Sequence, residues 1–352
     1  MHLLVFRFSA MGDVALTVPV IRNVLRHNED LHITLVTNPN FTSFFYDIDR
    51  LTVFPADFKR EYIGIKGLFK LYRNIKSGNK FDYLIDLHSV LRSWILTFFF
   101  SVSGLRFFRI NKDRKEKKKL VTGRSLHSLM HSTERYQKAF EKVIEITPLP
   151  DTPSIIPSEK ALTDVELFIG NEKIPIDKQW IGIAPMAQHE LKKWNINNIK
   201  KLIELINNQY DVHFFLFGGG EKEKEELERL SGKHSNVINT AGTLKMSEQI
   251  ALISKMSFML TMDSGNMHIS SLIGVPTVSI WGATHPKAGF AALNQPENFS
   301  IQIPKSELIC RPCTIYGKGT CKRGDLACLN WINPKSVLQN LQSFDILLGS
   351  DQ

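Results

Sequence analysis

At 352 residues and 43% hydrophobic, the chain is long enough for two domains with cores of their own. Its formal net charge of +9 is lopsided, because residues 1–158 hold 24 Lys and Arg against 15 Asp and Glu. The opening "MHLLVFRFSAMGD" reaches Arg7 and Asp13 too early for a secretory signal, and the most apolar stretch, Trp94–Val102, is about half a membrane span and predicts a buried helix, so a cytosolic protein is expected.

Leu3–Phe8 predicts a strand. The turn "SAMGDV" after it puts Asp13 at the start of a helix, Val14–Arg26, with apolar residues at Val14, Val18, Ile21 and Leu25. A single glycine there excludes a dinucleotide fingerprint. Asp13 is either a helix cap or a carboxylate that the helix dipole keeps ionised to take a proton from an acceptor hydroxyl. "HITLVT" and "YLIDL" predict further strands. "KDRKEKKK", Lys112 to Lys119, predicts a solvated loop whose charge suits an anionic acceptor or an anionic membrane surface. Nucleic acid ranks below both, since no zinc-finger, RRM or helix-turn-helix pattern accompanies the run. A basic helix from Ser132 to Ile146 closes the half. Pro148, Pro150, Pro153 and Pro157 then mark a linker.

The second half repeats the alternation. "WIGIAP" predicts a strand, Ile196–Asn207 a helix, "VHFFLFGGG" a strand into a glycine turn, and Lys222–Leu230 a charged helix. Ser247–Lys255 (helix), Phe258–Met262 (strand), His268–Ile273 (helix) and "TVSIWG" (strand) follow, with a last helix over Pro334–Leu348. Strands alternating with helices predict an α/β protein with parallel sheets, ligands lying in a cleft at the strand C-termini. The boundaries expected are 1–147 for the first domain, 148–158 for the linker, 159–333 for the second domain, and 334–352 for a C-terminal helix packing back across both.

Four motifs in this half carry polar chemistry. "LKKWN" offers Lys192 and Lys193, either a solvated pair or a cation for a diphosphate. "FGGGEKEKEE" has Gly218–Gly220, where a ligand can approach the backbone, and Glu221 or Glu223 for ribose hydroxyls. "TMDSGNMHIS" ends a strand in an acid and a histidine, both costly to bury unless paired. Its Ser-Gly at a helix start is either a cap or a set of backbone N–H groups for an anion. Cys310, Cys313, Cys321 and Cys328, spaced C-x2-C-x7-C-x6-C, are read as a structural zinc knot or as free thiols.

"MGDV", "KKW", "GGGE", "KMS", "DSGNMH" and "GVPTVSIWGATHP", in that order, resemble the lipopolysaccharide heptosyltransferases of glycosyltransferase family nine over about residues 1–335. The resemblance implies the GT-B architecture, two facing Rossmann-like domains, and an inverting, metal-independent transfer of a heptose from an ADP-sugar to a lipopolysaccharide inner-core acceptor. It makes Asp13 the base and Lys192 the diphosphate lysine. The backbone of Ser264, Gly265 and Asn266 would bind the diphosphate, with Asp263 and His268 beside the donor sugar. Ala187 and Gln188 fall where small polar residues meet phosphate, Ala187 departing from the usual hydroxyl. Met246 falls where main-chain groups hold the base, and Gly219 and Glu221 or Glu223 near the ribose. Arg92, His131 and Arg135 would meet acidic groups of a Kdo-bearing lipid A core. No cofactor is implied beyond the donor. The expected location is the cytoplasmic face of the inner membrane, in peripheral contact with its anionic leaflet. Two other readings are a catalytically weak nucleotide- or glycan-binding module and another GT-B enzyme such as a hydrolysing epimerase. Intact Asp13, Lys192, Asp263 and His268 favour the transferase.

Overall fold

The computed structural model describes residues 1–124, 127–232 and 234–347. The chain divides into two compact units, Met1–Asp113 with Met130–Ile156, and Arg114–Leu129 with Pro157–Gln352. Each is built on a wholly parallel sheet, as the alternation of strands and helices predicts.

The first sheet contains β1 (His2–Phe6), β2 (His32–Thr37), β3 (Leu51–Pro55), β4 (Tyr83–Asp86) and β5 (Arg106–Arg109), in the order β3-β2-β1-β4-β5. Leu3, Leu4, Val5 and Phe6 are fully buried, the continuous apolar run of a strand covered on both faces. The helix expected over Val14–Arg26 is two helices, α1 (Met11–Ala15) and α2 (Val18–Arg26). Pro19 has no N–H to donate to Ala15, so the ladder breaks between them.

α3 (Gly64–Lys76) and α4 (Leu91–Val102) pack side by side. The stretch expected as a buried helix is α4, but it is buried on one face alone. Ser93, Leu96, Thr97 and Phe100 point inward, while Leu91, Trp94, Phe98 and Val102 are exposed.

The lysine run is not the solvated loop that its charge predicts. It forms a helix, α5 (Arg114–Val121), that groups with the second unit. Lys117 is buried there, its Nζ 4.7 Å from the Phe290 ring centre and 5.3 Å from that of Tyr316, whose hydroxyl accepts its hydrogen bond at 3.3 Å. A cation between two aromatic faces is anchored rather than solvated. α6 (Ser132–Phe140) returns to the first unit.

In the second unit, α7 (Glu159–Asn171) leads into β6 (Gln179–Ala184), α8 (Ile196–Asn207), β7 (Val212–Leu216) and α9 (Glu221–Ser231). Next come β8 (Val237–Asn239), α10 (Met246–Ile253), β9 (Phe258–Met262), α11 (Gly265–Ile273), β10 (Thr277–Trp281) and β11 (Ser300–Gln302), and the sheet order is β11-β10-β9-β6-β7-β8. Every residue of β7, β9 and β10 is buried. Each fully buried aliphatic side chain in such a core contributes about 1.5–3 kcal/mol. β6 and β9 come together at Gly182, where an added Cβ would lie 2.0 Å from the Met259 sulfur. The chain ends with α12 (Ala327–Asn330) and α13 (Pro334–Ser343). α13, expected to run back across the domains, packs against α8 of its own unit, and the end predicted at Leu348 lies outside the described residues.

Candidate active site

In a parallel sheet, ligands gather at the strand C-termini where the chain reverses its direction of winding. In the first sheet that point lies between β1 and β4, and in the second between β6 and β9. The candidate residues nearest these points are Asp13 after β1, Lys192 after β6 and Asp263 after β9.

Asp13 lies in the first turn of α1, whose N-cap is Ala10 with no side-chain cap bond. Its carboxylate is engaged by Arg7 at 2.5 Å and remains 36% exposed, open to a ligand. Arg7 itself is buried and donates from Nη1 to the Leu87 carbonyl at 2.7 Å. Burial opposes its charge, but Asp13 and Tyr136 outweigh it, so the guanidinium holds its proton more tightly than usual. The same turn is tied to α6, because the Tyr136 hydroxyl donates to the Asp13 carbonyl at 3.3 Å.

His88 follows β4. Burial, then the charges of Arg7 and Lys112, push it down to about 3, so the ring is neutral at physiological pH. Its loop is pinned by the buried Asp86, which accepts from the backbone N–H groups of His88 and Ser89, from the Ser93 hydroxyl at 2.9 Å and from Arg109 at 3.0 Å. Sequence reasoning missed Arg7, Asp86 and His88. A charged residue ending or following an otherwise apolar strand was the available signal.

His131 is the N-cap of α6, its Nδ1 accepting from the Thr133 N–H. Arg135 is buried, donates to the Ser132 hydroxyl at 2.9 Å and lies 3.7 Å from Asp113. Arg92 is exposed on α4, 5.6 Å over the Phe58 ring.

The second unit sets its polar loops along one edge in the order β10, β9, β6, β7, β8. Thr284, after β10, donates to Asp263 Oδ2 at 2.7 Å. Lys192 places its ammonium 2.8 Å from the same oxygen, the two side chains 16% and 5% exposed. This triad solves the cost of an acid at a buried strand end. The Lys192 stem runs against Gly317 (φ +79°), where an added Cβ would fall 2.7 Å from Cγ. Lys193 points elsewhere, to Glu190 at 2.7 Å.

α11 starts with Ser264 as an N-cap that makes no side-chain cap bond, and the buried Ser264 hydroxyl has no hydrogen-bond partner. Ser264 therefore holds the cap position without capping through its side chain, and a helix start of this kind presents backbone N–H groups that suit an anion. His268 is buried one turn along.

Ala187 is buried and Gln188 exposed after β6. After β7, the Gly219 N–H donates to Glu223 at 2.8 Å, which commits that acid to the turn, while the Glu221 side chain is 81% exposed. Met246, half-buried, opens α10 beyond β8. The four cysteines are free thiols, and among the described residues no three His, Cys, Asp or Glu side chains are set to hold a metal ion. Thr284 and Gly317 are further site residues that sequence reasoning missed.

Residues 68–315 match glycosyltransferase family 9 (heptosyltransferase). A lipopolysaccharide core heptosyltransferase, OpsX, of Haemophilus influenzae is 24% identical over 81% of this chain and 80% of its own length. A lipooligosaccharide heptosyltransferase 2 of Campylobacter jejuni is 21% identical over 95% of both. Among solved structures, a family 9 glycosyl transferase from Veillonella parvula superposes with a TM-score of 0.74 at 18% identity, covering 97% of this chain and 96% of that one. The E. coli heptosyltransferase WaaC, solved with ADP-2-deoxy-2-fluoro heptose, does so with a TM-score of 0.66 at 18% identity, covering 98% and 100%.

Proposed function

We propose, since the chain belongs to glycosyltransferase family 9, the heptosyltransferase family, that it moves a heptose from an ADP-sugar to the inner core of a lipopolysaccharide acceptor. The relatives named for lipopolysaccharide and lipooligosaccharide heptosyl transfer support the sugar and the acceptor, and the WaaC complex with an ADP-heptose analogue supports the nucleotide.

The observation that carries the reading is the pairing of Lys192 with Asp263 beside an uncapped helix start. The N–H groups of Ser264, Gly265 and Asn266, with the Lys192 ammonium, neutralise the departing diphosphate without a metal ion. Asp263, fixed by Thr284, accepts from the sugar hydroxyls, with His268 beside it. Ala187 and Gln188 line the phosphates. The loops after β7 and β8 take the adenosine, Glu221 and Gly219 at the ribose and Met246 at the base.

Asp13 removes the proton of the acceptor hydroxyl. That oxygen attacks the anomeric carbon, the bond from carbon to phosphate oxygen breaks, and its electron pair leaves with ADP. A single displacement inverts the anomeric centre. Arg7 holds the Asp13 carboxylate, and Arg92, His131 and Arg135 serve the acidic groups of the acceptor. The first unit thus handles the acceptor and the second the donor. A lipid acceptor places the enzyme at the cytoplasmic face of the inner membrane. Among the described residues no helix is long and apolar enough to cross a membrane, so the contact proposed is peripheral.

Native mass spectrometry of the protein with a panel of nucleotide sugars tests the donor. Retention of the ADP-linked sugar over its UDP and GDP counterparts is expected. Equal retention of all of them would remove the assignment.

A further inference from the structure

Leu91, Trp94, Phe98 and Val102 recur at intervals of three and four along α4, so they share one face of the helix. They are 69%, 42%, 63% and 72% exposed. α3 continues the patch with Ile65 and Phe69, also exposed. Phe69 meets Phe99 edge-on at 5.5 Å, Phe98 lies 6.2 Å from the same ring, and Arg109 bridges Trp94 and Phe107 at 5.4 and 5.3 Å. Single exposed apolar residues need no explanation, but a contiguous aromatic patch does.

Cations predominate around this patch. No Asp or Glu occurs between Tyr62 and Phe81 or between Leu87 and Lys112, while Lys66, Lys70, Arg73 and Lys76 lie on α3 and Arg106 and Arg109 on β5. The acids that border it are Glu61, paired with Lys70 at 3.0 Å, Asp82, and the buried Asp86 beside Arg109. Two copies of the chain meeting through this face would bring their cations together. A negatively charged bilayer satisfies both the charge and the apolar stripe.

We propose that the face made by α3, α4 and β5 docks on an anionic lipid bilayer. Its aromatic and aliphatic side chains enter the headgroup boundary, where tryptophan is favoured, and its lysines and arginines meet lipid phosphates. This rests on the reading of a membrane-borne acceptor and names the surface that meets the membrane. The stripe begins at Leu91, just beyond the His88–Ser89 loop, so one end adjoins the sheet edge that carries Asp13. The lysine run of α5 is less suited to docking, since Lys117 is buried and Lys119 is paired with Glu116 at 2.8 Å.

The test is co-sedimentation of the full chain with phosphatidylcholine vesicles, with and without phosphatidylglycerol. Wild type binds the anionic vesicles. Trp94→Ser/Phe98→Ser weakens that binding by about tenfold or more, while Lys115→Gln/Lys118→Gln/Lys119→Gln changes it by about twofold or less. Both keep wild-type turnover on a short soluble acceptor. Trp94→Phe, a mild change at an exposed site, abolishes the blue shift of tryptophan fluorescence on vesicle addition.

Loss of binding in the lysine variant alone would overturn the α3–α4 face and leave the membrane reading standing. Failure of wild type to bind either vesicle would remove the membrane reading itself. Self-association of wild type that the double serine variant abolishes, with vesicle binding unchanged, would make the face a contact between copies and overturn the proposal.

Discussion

Asp13→Asn lowers turnover by about 10²–10⁴-fold and leaves the calorimetric affinity for ADP unchanged, because losing a general base costs that much and the donor residues proposed above belong to the other unit. The amide is nearly isosteric with the carboxylate and stays within hydrogen-bond reach of Arg7, so the turn keeps its shape. It cannot take a proton. The change therefore separates a chemical role from a structural one, which truncation to alanine would not do, since that leaves the buried Arg7 guanidinium without its carboxylate. A turnover assay at saturating donor and acceptor reads the effect. Activity within a few-fold of wild type would mean that Asp13 serves only to balance Arg7.

Lys192→Ala weakens ADP binding by about 10–100-fold, the value of one charge-assisted contact to a diphosphate. Lys193→Ala changes it little, because its partner Glu190 is 78% exposed and such surface pairs are worth about 0–1 kcal/mol. The lysines are adjacent in sequence and chemically identical, so the contrast tests placement alone. Lys192→Ala also leaves Asp263 buried without its cation, and breaking a buried pair costs about 3–5 kcal/mol of stability. Lys192→Met with Asp263→Asn removes both charges and restores the melting temperature. If that double variant binds ADP as wild type does, Lys192 is a counter-ion of Asp263 and not a phosphate ligand.

The central strands were legible because strands buried on both faces are continuous apolar runs. Phe258–Met262 and Ile196–Asn207 have the bounds that the pattern predicts. The strands missed are β3, β5, β8 and β11, the edge strands of the two sheets, of which β5, β8 and β11 are also short. β5 reads RFFR, with an arginine at each end, as edge strands often do. α3 was hidden by two glycines and four basic residues, a composition that resembles a loop. Trp94–Val102 predicts a buried helix because its seven apolar residues of nine lie on every side of the helix, and nothing local marks which face is covered.

The polar residues at the strand ends were visible as types in the sequence, but their partners were not. Asp263 meets Lys192 and Thr284 only because β6, β9 and β10 are consecutive in the sheet. Arg7 meets Asp13 only because the turn after β1 folds back on the strand end. The lysine run looks like a solvated loop in sequence because its anchor, the Phe290–Tyr316 pair, lies far along the chain.

The most direct measurement is the anomeric configuration of the product. The protein is incubated with ADP-heptose and a Kdo-bearing core acceptor, and the new linkage is examined by NMR after its mass is recorded. The account predicts an acceptor heavier by one heptose, one ADP released per transfer, and a linkage inverted relative to the donor. A retained configuration, or ADP released with the acceptor unchanged, would contradict it.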